Sequence, residues 1–152
     1  PCNIAPETFT VRDGMMVTSG APIGTIRTEK MYENFIIEFQ WRHMKSGGYS
    51  GLFVWADGLP VAGSPFSRGI EVQILDPGFN VKGKNEWYST HGDIFAVNGA
   101  ALTVAGRISP NGQRSFPVEE RTKPSPAWND YRLVANDGEL SLSVSGKEVT
   151  LA

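Results

Sequence analysis

The sequence predicts an all-β protein built as a two-sheet antiparallel sandwich. Apolar and polar residues alternate along most of the longer segments, and side chains that change face at every residue are typical of strands. The 17 glycines and 10 prolines lie between these segments, as turn residues do in a β protein. No amphipathic pattern longer than two helical turns interrupts them. We therefore expect short strands joined by turns and packed as two sheets.

The first predicted element is a hairpin. Residues 8–12 and 15–18 flank Asp13-Gly14, a pair that accepts the positive φ angles of a two-residue turn. The clearest strand follows at residues 34–43, because a helix would place Phe35, Phe39 and Arg42 on one face. As a strand, it directs one apolar set toward the core: Phe35, Ile37, Phe39 and Trp41.

The remaining strands follow at the spacing expected of a sandwich. They are predicted at residues 50–56, 69–75, 93–97, 101–105, 130–135, 140–144 and 148–151. Two stretches rich in Pro, Gly and Ser, residues 57–68 and 107–128, are predicted to be loops at a functional rim. No internal repeat divides the chain, so residues 1–152 are expected to form one domain. Its last hairpin looks cut short, so we expect a missing segment or a second chain to complete the sandwich.

Composition excludes several classes of protein. The formal net charge is -2 and the basic residues are scattered, so no nucleic-acid partner is expected. No apolar run approaches the roughly 20 residues of a membrane-spanning helix. The single cysteine, Cys2, has no partner for an internal disulfide. P-loop, GxGxxG, HExxH, GxSxG and EF-hand patterns are absent, so the sequence identifies no cofactor.

The strand at residues 69–76, with the sequence GIEVQILD, is the best candidate for a binding surface. Glu71 and Gln73 project from one face about 7 Å apart, while Ile70, Val72 and Ile74 project from the other face, toward the core. A carboxylate and a carboxamide suit sugar hydroxyls, which both donate and accept hydrogen bonds. A solvated sheet face would carry the same residue types. Asp76 has the opposite parity and reaches this face only through a bulge or turn.

Aromatic residues next to the two predicted loops favour a sugar-binding groove. Phe53 and Trp55 share one face of residues 50–56, and Trp128 closes the second loop beside Asn129. Aromatic rings stack on the apolar faces of pyranose rings. The same rings would also serve as ordinary core residues, and we expect the four tryptophans to divide between the two roles.

Two further residues could carry chemistry. His91 stands at a loop–strand junction, where it could be a general acid, a general base, a metal ligand or a hydrogen-bonded structural residue. Arg42 faces away from the core, and its guanidinium could hold a developing oxyanion. A retaining glycosidase needs two carboxylates about 5–5.5 Å apart. Gln73 stands where the second acid would be needed, so we expect a route that uses one carboxylate.

Four segments in order, GGYSGLFVW, GIEVQILD, HGDIF and AWNDYRL, resemble the 3-keto-disaccharide hydrolase domain family. The resemblance covers nearly the whole chain, from FTVRDGMM to LSVSGKEV. It implies a concanavalin A-like jelly roll in a bacterial protein located outside the cell or in the periplasm. Domains of this family begin one strand earlier and continue through further strands, which implies a fragment here. They also carry Asn where Tyr49 stands.

The resemblance implies activity on glycosides oxidised to a ketone at carbon 3. The ketone acidifies the hydrogen on carbon 2, so a base can remove it, and the enolate then expels the group at carbon 1 before water adds. Glu71 and His91 would share the acid–base work, and Arg42 or a divalent metal ion would stabilise the enolate. Sugar positioning would fall to Ser50, Trp55, Gln73, Asp76, Trp128 and Asn129.

Two other functions stay open at this point. The same fold also serves non-catalytic carbohydrate-binding modules, which need aromatic and amide groups but no titrating base. A structural interaction domain would instead have its Glu71 face covered by another protein.

Overall fold

The structure is a computed structural model that describes residues 3–79, 86–89 and 92–152, and eleven strands lie within them. Every strand pairing is antiparallel. In that part of the chain, no helix is long and apolar enough to cross a membrane. The strands are β1 (Phe9–Arg12), β2 (Met15–Thr18), β3 (Phe35–Trp41), β4 (Tyr49–Val54), β5 (Gly69–Leu75), β6 (Ile94–Val97), β7 (Arg107–Ile108), β8 (Arg114–Phe116), β9 (Asn129–Asn136), β10 (Glu139–Val144) and β11 (Lys147–Leu151).

Two sheets face each other across an apolar core. One has four strands in the order β11-β10-β9-β3, the other has five in the order β4-β5-β6-β8-β7, and β1 and β2 form a separate hairpin. Leu133 and Leu142 from the first sheet and Val72 from the second are fully buried in this core. Burying each such side chain contributes about 1.5–3 kcal/mol, so the alternating pattern fixes which face of each strand points inward. The predicted antiparallel sandwich is confirmed.

The predicted turn at Asp13-Gly14 is also confirmed. Asp13-Gly14 joins Arg12 to Met15 with φ angles of 51° and 74°. Both angles lie in the left-handed region that a two-residue hairpin turn requires, which is why a glycine stands at the second position.

The predicted strand at residues 101–105 is not present. These residues make no sheet pairing, although Leu102 packs against the core. The neighbouring strand β6 already pairs with β5 on one side and β8 on the other, so it offers this segment no free edge. The alternation in the sequence correctly indicated that Leu102 faces the core, but it could not indicate that no partner strand is available.

The predicted uninterrupted loop at residues 107–128 is also wrong, because it contains β7 and β8. These two short strands pair across a turn in which Gly112 N donates to Ser109 O at 2.8 Å. The Ser109 hydroxyl accepts a further hydrogen bond from Arg114 N at 3.0 Å. This turn carries the chain back along the sheet and brings Arg114 next to β6.

Two buried hydrogen bonds join the sheets beneath the polar end of β5. The Tyr131 hydroxyl donates to Gln73 O at 3.0 Å, and the Thr150 hydroxyl donates to Gly92 O at 2.8 Å. Gly92 has a φ of 76°, and a Cβ there would approach Leu142 to 3.0 Å. The four-stranded sheet therefore fixes the backbone of β5 and of the residues that lead into β6.

Candidate functional site

The polar face of β5 points away from the core but is not open to solvent. Glu71 and Gln73 share this face, as predicted, while Ile70 and Val72 pack into the core. Glu71 is nevertheless only 6% exposed and Gln73 only 2% exposed. Other side chains therefore cover this face, and the alternative of a solvated sheet face is wrong. A carboxyl and a carboxamide are enclosed here at considerable desolvation cost.

Gly51 on β4 makes room for the Glu71 carboxyl. It lies directly opposite Gln73 in the strand register. A Cβ at position 51 would stand 2.0 Å from Glu71 Oε1, far inside van der Waals contact. The carboxyl group therefore lies against the bare backbone of Gly51, and any larger residue there would displace it.

Arg114, on β8, is the cation next to Glu71 and Gln73. Its Nη1 donates to Gln73 Oε1 at 2.8 Å and lies 3.5 Å from Asp93 Oδ2. The guanidinium carbon lies 3.6 Å from the ring centroid of Phe95 and 4.8 Å from that of Trp87. Such contacts with aromatic faces stabilise a cation that has been removed from water.

Asp93 holds Arg114 in place rather than facing a ligand. It is 0% exposed, and Ser89 donates to it from both its backbone N (2.8 Å) and its hydroxyl. Burial raises the pKa of Asp93, although the Ser89 hydrogen bonds and the Arg114 charge act in the opposite direction. Both of its oxygens are engaged, so Asp93 is a structural carboxylate in this site.

Glu71 has the properties of a general base. Burial raises the pKa of Glu71 to about 7, even though the positive charge of Arg114 lowers it. Among the described residues, no side chain or backbone group donates a hydrogen bond to its carboxyl oxygens. A carboxylate that is half protonated near neutral pH, and whose oxygens are not engaged, is suited to removing a proton from a ligand.

An aromatic shelf, composed of Tyr49, Phe79, Tyr88 and Trp87, lies next to Glu71 and Arg114. Successive ring centroids lie 5.5, 6.0 and 4.7 Å apart. Tyr49 is 55%, Phe79 37% and Trp87 46% exposed, so these three rings present apolar surface to solvent. Burial of its hydroxyl raises the pKa of Tyr49, and the Glu71 charge raises it further, so this phenol stays protonated.

The structure places Arg42 and Trp128 together, at the end of β3 where β9 begins. The Arg42 guanidinium carbon lies 4.5 Å from the Trp128 ring centroid. Arg114, and not Arg42, supplies the positive charge that acts on Glu71. Asn129 is 1% exposed and bonds to the backbone of Lys123 through Oδ1 (2.7 Å) and Nδ2 (3.1 Å), so its amide orders a loop.

The other predicted sugar contacts also lie apart from Glu71. Ser50 is opposite Ile74, so it shares the inward face of β4. Trp55 follows the end of β4 with a φ of 48°, which turns its ring to pack against the core, and its Nε1 donates to Glu33 O at 2.8 Å. Phe53 is opposite Glu71 on the polar face, so the prediction that Phe53 and Trp55 share a face is wrong.

Asp76 is a loop anchor at the end of β5. Its carboxylate accepts hydrogen bonds from the backbone N of Gly47 (2.9 Å), Gly78 (2.8 Å) and Ser125 (2.6 Å). Burial raises the pKa of Asp76, but these N–H donors outweigh it and the pKa lies below its usual range. Asp76 thereby fixes the turn that leads to Tyr49 and the turn that leads to Phe79.

The predicted acid–base residue His91 lies outside the described residues, and so does Cys2. Within the described ranges, no cluster of three or more His, Cys, Asp or Glu residues could hold a metal ion.

The domain family described as 3-keto-alpha-glucoside-1,2-lyase-like matches residues 3–151. The chain belongs to this family. Six chains of solved structures also match the present chain. One is a crystal structure of a candidate glycosyl hydrolase from Parabacteroides distasonis, with 22% identity and a TM-score of 0.65, and the match covers 95% of the present chain. The chain spans 62% of the length of that protein, and at this identity the likeness concerns the fold alone.

None of the curated proteins matches the chain. The predicted resemblance to this family is confirmed.

Sequence reasoning found Glu71 and Gln73 but missed Arg114, Asp93 and the aromatic shelf. Arg114 lies in a stretch that reads as loop because β8 is only three residues long. One signal was available for Asp93: it stands two residues before Phe95, so the two side chains share a strand face.

Proposed function

We propose that this domain is an enzyme that cleaves 3-keto-glycosides, with Glu71 as the base that removes the proton from carbon 2. The observation that carries this proposal is the enclosed Glu71 carboxyl, whose pKa is raised to about 7. A base with a pKa close to the operating pH combines a large deprotonated fraction with a useful affinity for the proton. An exported bacterial location belongs to the same proposal and rests on family membership.

The proposed reaction begins with proton transfer. Glu71 takes the proton from carbon 2, and the electrons of that C–H bond form a C2=C3 double bond as the carbon-3 oxygen becomes an enolate oxygen. The enolate then re-forms the ketone, a C1=C2 double bond forms, and the bond from carbon 1 to the leaving oxygen breaks. A proton transferred to the leaving oxygen completes an alcohol. Water added across C1=C2 gives the free 3-keto sugar, so no oxidant or reductant is consumed.

Proton return to the leaving oxygen needs a donor near Glu71. The Tyr49 hydroxyl is such a group, because its raised pKa keeps it protonated and the Glu71 charge acts on it. Protonated Glu71 is itself a donor after the first step. His91 stays a predicted participant, on sequence grounds alone.

The charge distribution favours this route over displacement by paired carboxylates. Asp93 is the second buried carboxyl near Arg114, but both of its oxygens are engaged by Ser89 and Arg114. A double displacement would need a second carboxylate that can reach the anomeric carbon. One base beside a fixed cation suits enolate formation instead, because the Arg114 charge that acts on Glu71 would also stabilise negative charge developing on a ligand next to Glu71.

Turnover of a 3-keto-glucoside and of its unoxidised parent tests the proposal. We expect wild-type protein to cleave the 3-keto substrate alone, since only the ketone acidifies carbon 2. Glu71→Gln keeps the size of the side chain and should lower turnover by at least a thousandfold. Glu120→Gln is the matched control, because Glu120 is exposed. Full activity of Glu71→Gln would overturn the assignment of the base.

A second candidate function is a non-catalytic carbohydrate-binding module. The observation that favours it is the aromatic shelf, whose three exposed rings could stack on sugar faces without any chemistry. A module would bind the 3-keto-glucoside and its parent equally well and release neither aglycone. Trp87→Ala would then weaken the binding of both sugars. Turnover would be zero in the wild-type protein and in Glu71→Gln alike.

A further inference from the structure

The side-chain amide of Gln73 is only half satisfied. Gln73 is 2% exposed, and its Oε1 accepts the 2.8 Å hydrogen bond from Arg114 Nη1. Its Nε2, which carries two N–H donors, has no hydrogen-bond partner among the described residues. Leaving a buried donor unpaired costs about 1–3 kcal/mol. Buried polar groups are rarely left unpaired, and a ligand that supplied an acceptor to Nε2 would recover this cost.

Arg114 fixes which end of this amide is free. A guanidinium has only donors, so the group facing it must be the carbonyl oxygen of Gln73. Rotating the amide by 180° would bring N–H groups against the positively charged Arg114. Arg114 is itself held by Asp93 and by the Phe95 ring, so the orientation of the amide is set by a rigid support. The Nε2 donors are therefore directed away from Arg114.

The unpaired Nε2 of Gln73 is buried beside the Tyr49 hydroxyl. It lies close enough to the Tyr49 hydroxyl to lower the pKa of Tyr49, although it makes no hydrogen bond of normal geometry to any described group. The Glu71 carboxyl lies against Gly51, which is the residue directly opposite Gln73. The base Glu71 and the unused donor of Gln73 thus lie on the same face of β5, two residues apart.

We infer that Gln73 is a catalytic residue, whose Nε2 donates a hydrogen bond to the carbon-3 oxygen as that oxygen becomes the enolate. This inference rests on the proposed function, because it assigns an acceptor that only a 3-keto sugar provides. A donor placed where charge develops strengthens its hydrogen bond in the transition state, and removing one such donor typically lowers kcat by about 10²–10³-fold. Simple sugar binding would use the same donor equally in ground and transition states.

Two substitutions at position 73 test this role. Gln73→Met keeps the length of the side chain and removes the donors, and Gln73→Glu keeps an oxygen for Arg114 while also removing them. Gln113→Met is the matched control, since Gln113 is exposed in the turn before β8. For each variant, kcat and KM for a 3-keto-glucoside are measured together with the Kd of the unoxidised parent glucoside. Equilibrium denaturation identifies which variants are folded.

We expect folded Gln73 variants to lose at least a hundredfold in kcat, with the parent glucoside Kd changed less than tenfold and Gln113→Met unaffected. A loss of less than tenfold in kcat in any folded variant overturns the inference. So does a loss that appears equally in KM and in the Kd of the parent glucoside, because Gln73 would then only bind the sugar. If Gln73→Met does not fold, the same kcat, KM and Kd criteria are applied to Gln73→Glu. An inactive wild-type protein would refute the proposed function itself, which is a distinct outcome.

Discussion

Gly51→Ala perturbs the candidate site in the most specific way. The new Cβ would stand 2.0 Å from Glu71 Oε1, whereas real Cβ contacts are essentially never shorter than 3.0 Å. The Glu71 carboxyl must therefore move by at least about 1 Å. A displacement of about 1 Å in a reacting group can cost about 100-fold in rate, so we expect kcat to fall by that factor. The backbone should tolerate alanine, because φ at Gly51 is not in the left-handed region.

The assay is turnover of a 3-keto-glucoside, with the free energy of unfolding measured in parallel. Gly58→Ala is the matched control: its Cβ would meet the end of the exposed, flexible Arg27 side chain at 2.5 Å and touches nothing in the candidate site. We expect the control to keep its turnover, and Gly51→Ala to lose activity with a change in stability of about 1 kcal/mol or less.

A double substitution can refute this reasoning. If Gly51→Ala acts by moving the Glu71 carboxyl, it should cause no further loss in a Glu71→Gln protein, because the base is already absent. Independent, multiplicative losses would show that the two residues act separately, and unchanged turnover of the single variant would show that the carboxyl position is unimportant.

Three further predictions concern pH and the loop anchor. The rate of cleavage should rise with pH through an apparent pKa near 7, the value for Glu71, in a pH–rate profile. Because folded protein binds the Glu71 proton more tightly than unfolded chain does, the free energy of unfolding should fall by roughly 3 kcal/mol between pH 4.5 and pH 8. Glu71→Gln should remove most of that fall in urea titrations; an unchanged slope would contradict the raised pKa. Asp76→Asn should destabilise the protein by about 2 kcal/mol at pH 7, because an amide cannot accept all three backbone N–H bonds. The wild-type advantage should disappear as pH falls through the lowered pKa of Asp76, and equal stability at pH 7 would refute the anchor role.

Local sequence was sufficient to predict most of the fold. The alternation in β3 and β9 and the turn at Asp13-Gly14 are consequences of burial and backbone sterics that neighbouring residues determine. Residues 101–105 show the limit of prediction from local sequence. Alternation indicates which side chains are buried, but pairing depends on whether a sheet edge is free, and β5 and β8 already occupy both edges of β6.

Only the part of the candidate site that lies within a single strand could be predicted from the sequence. Glu71 and Gln73 share β5, so parity alone put them on one face. Arg114 reaches them across β6 from a strand of three residues, and no local pattern reports such a long-range neighbour. The same limit explains Arg42: its ring partner is Trp128, and the cation beside Glu71 comes from β8.

The fate of the hydrogen on carbon 2 tests the central claim most directly. A 3-keto-glucoside incubated in D₂O with wild-type protein should yield a 3-keto sugar that carries deuterium at carbon 2, detectable by mass spectrometry and NMR. Glu71→Gln should leave the hydrogen in place and the substrate intact. Cleavage by wild-type protein with the original carbon-2 hydrogen fully retained would contradict proton abstraction by Glu71.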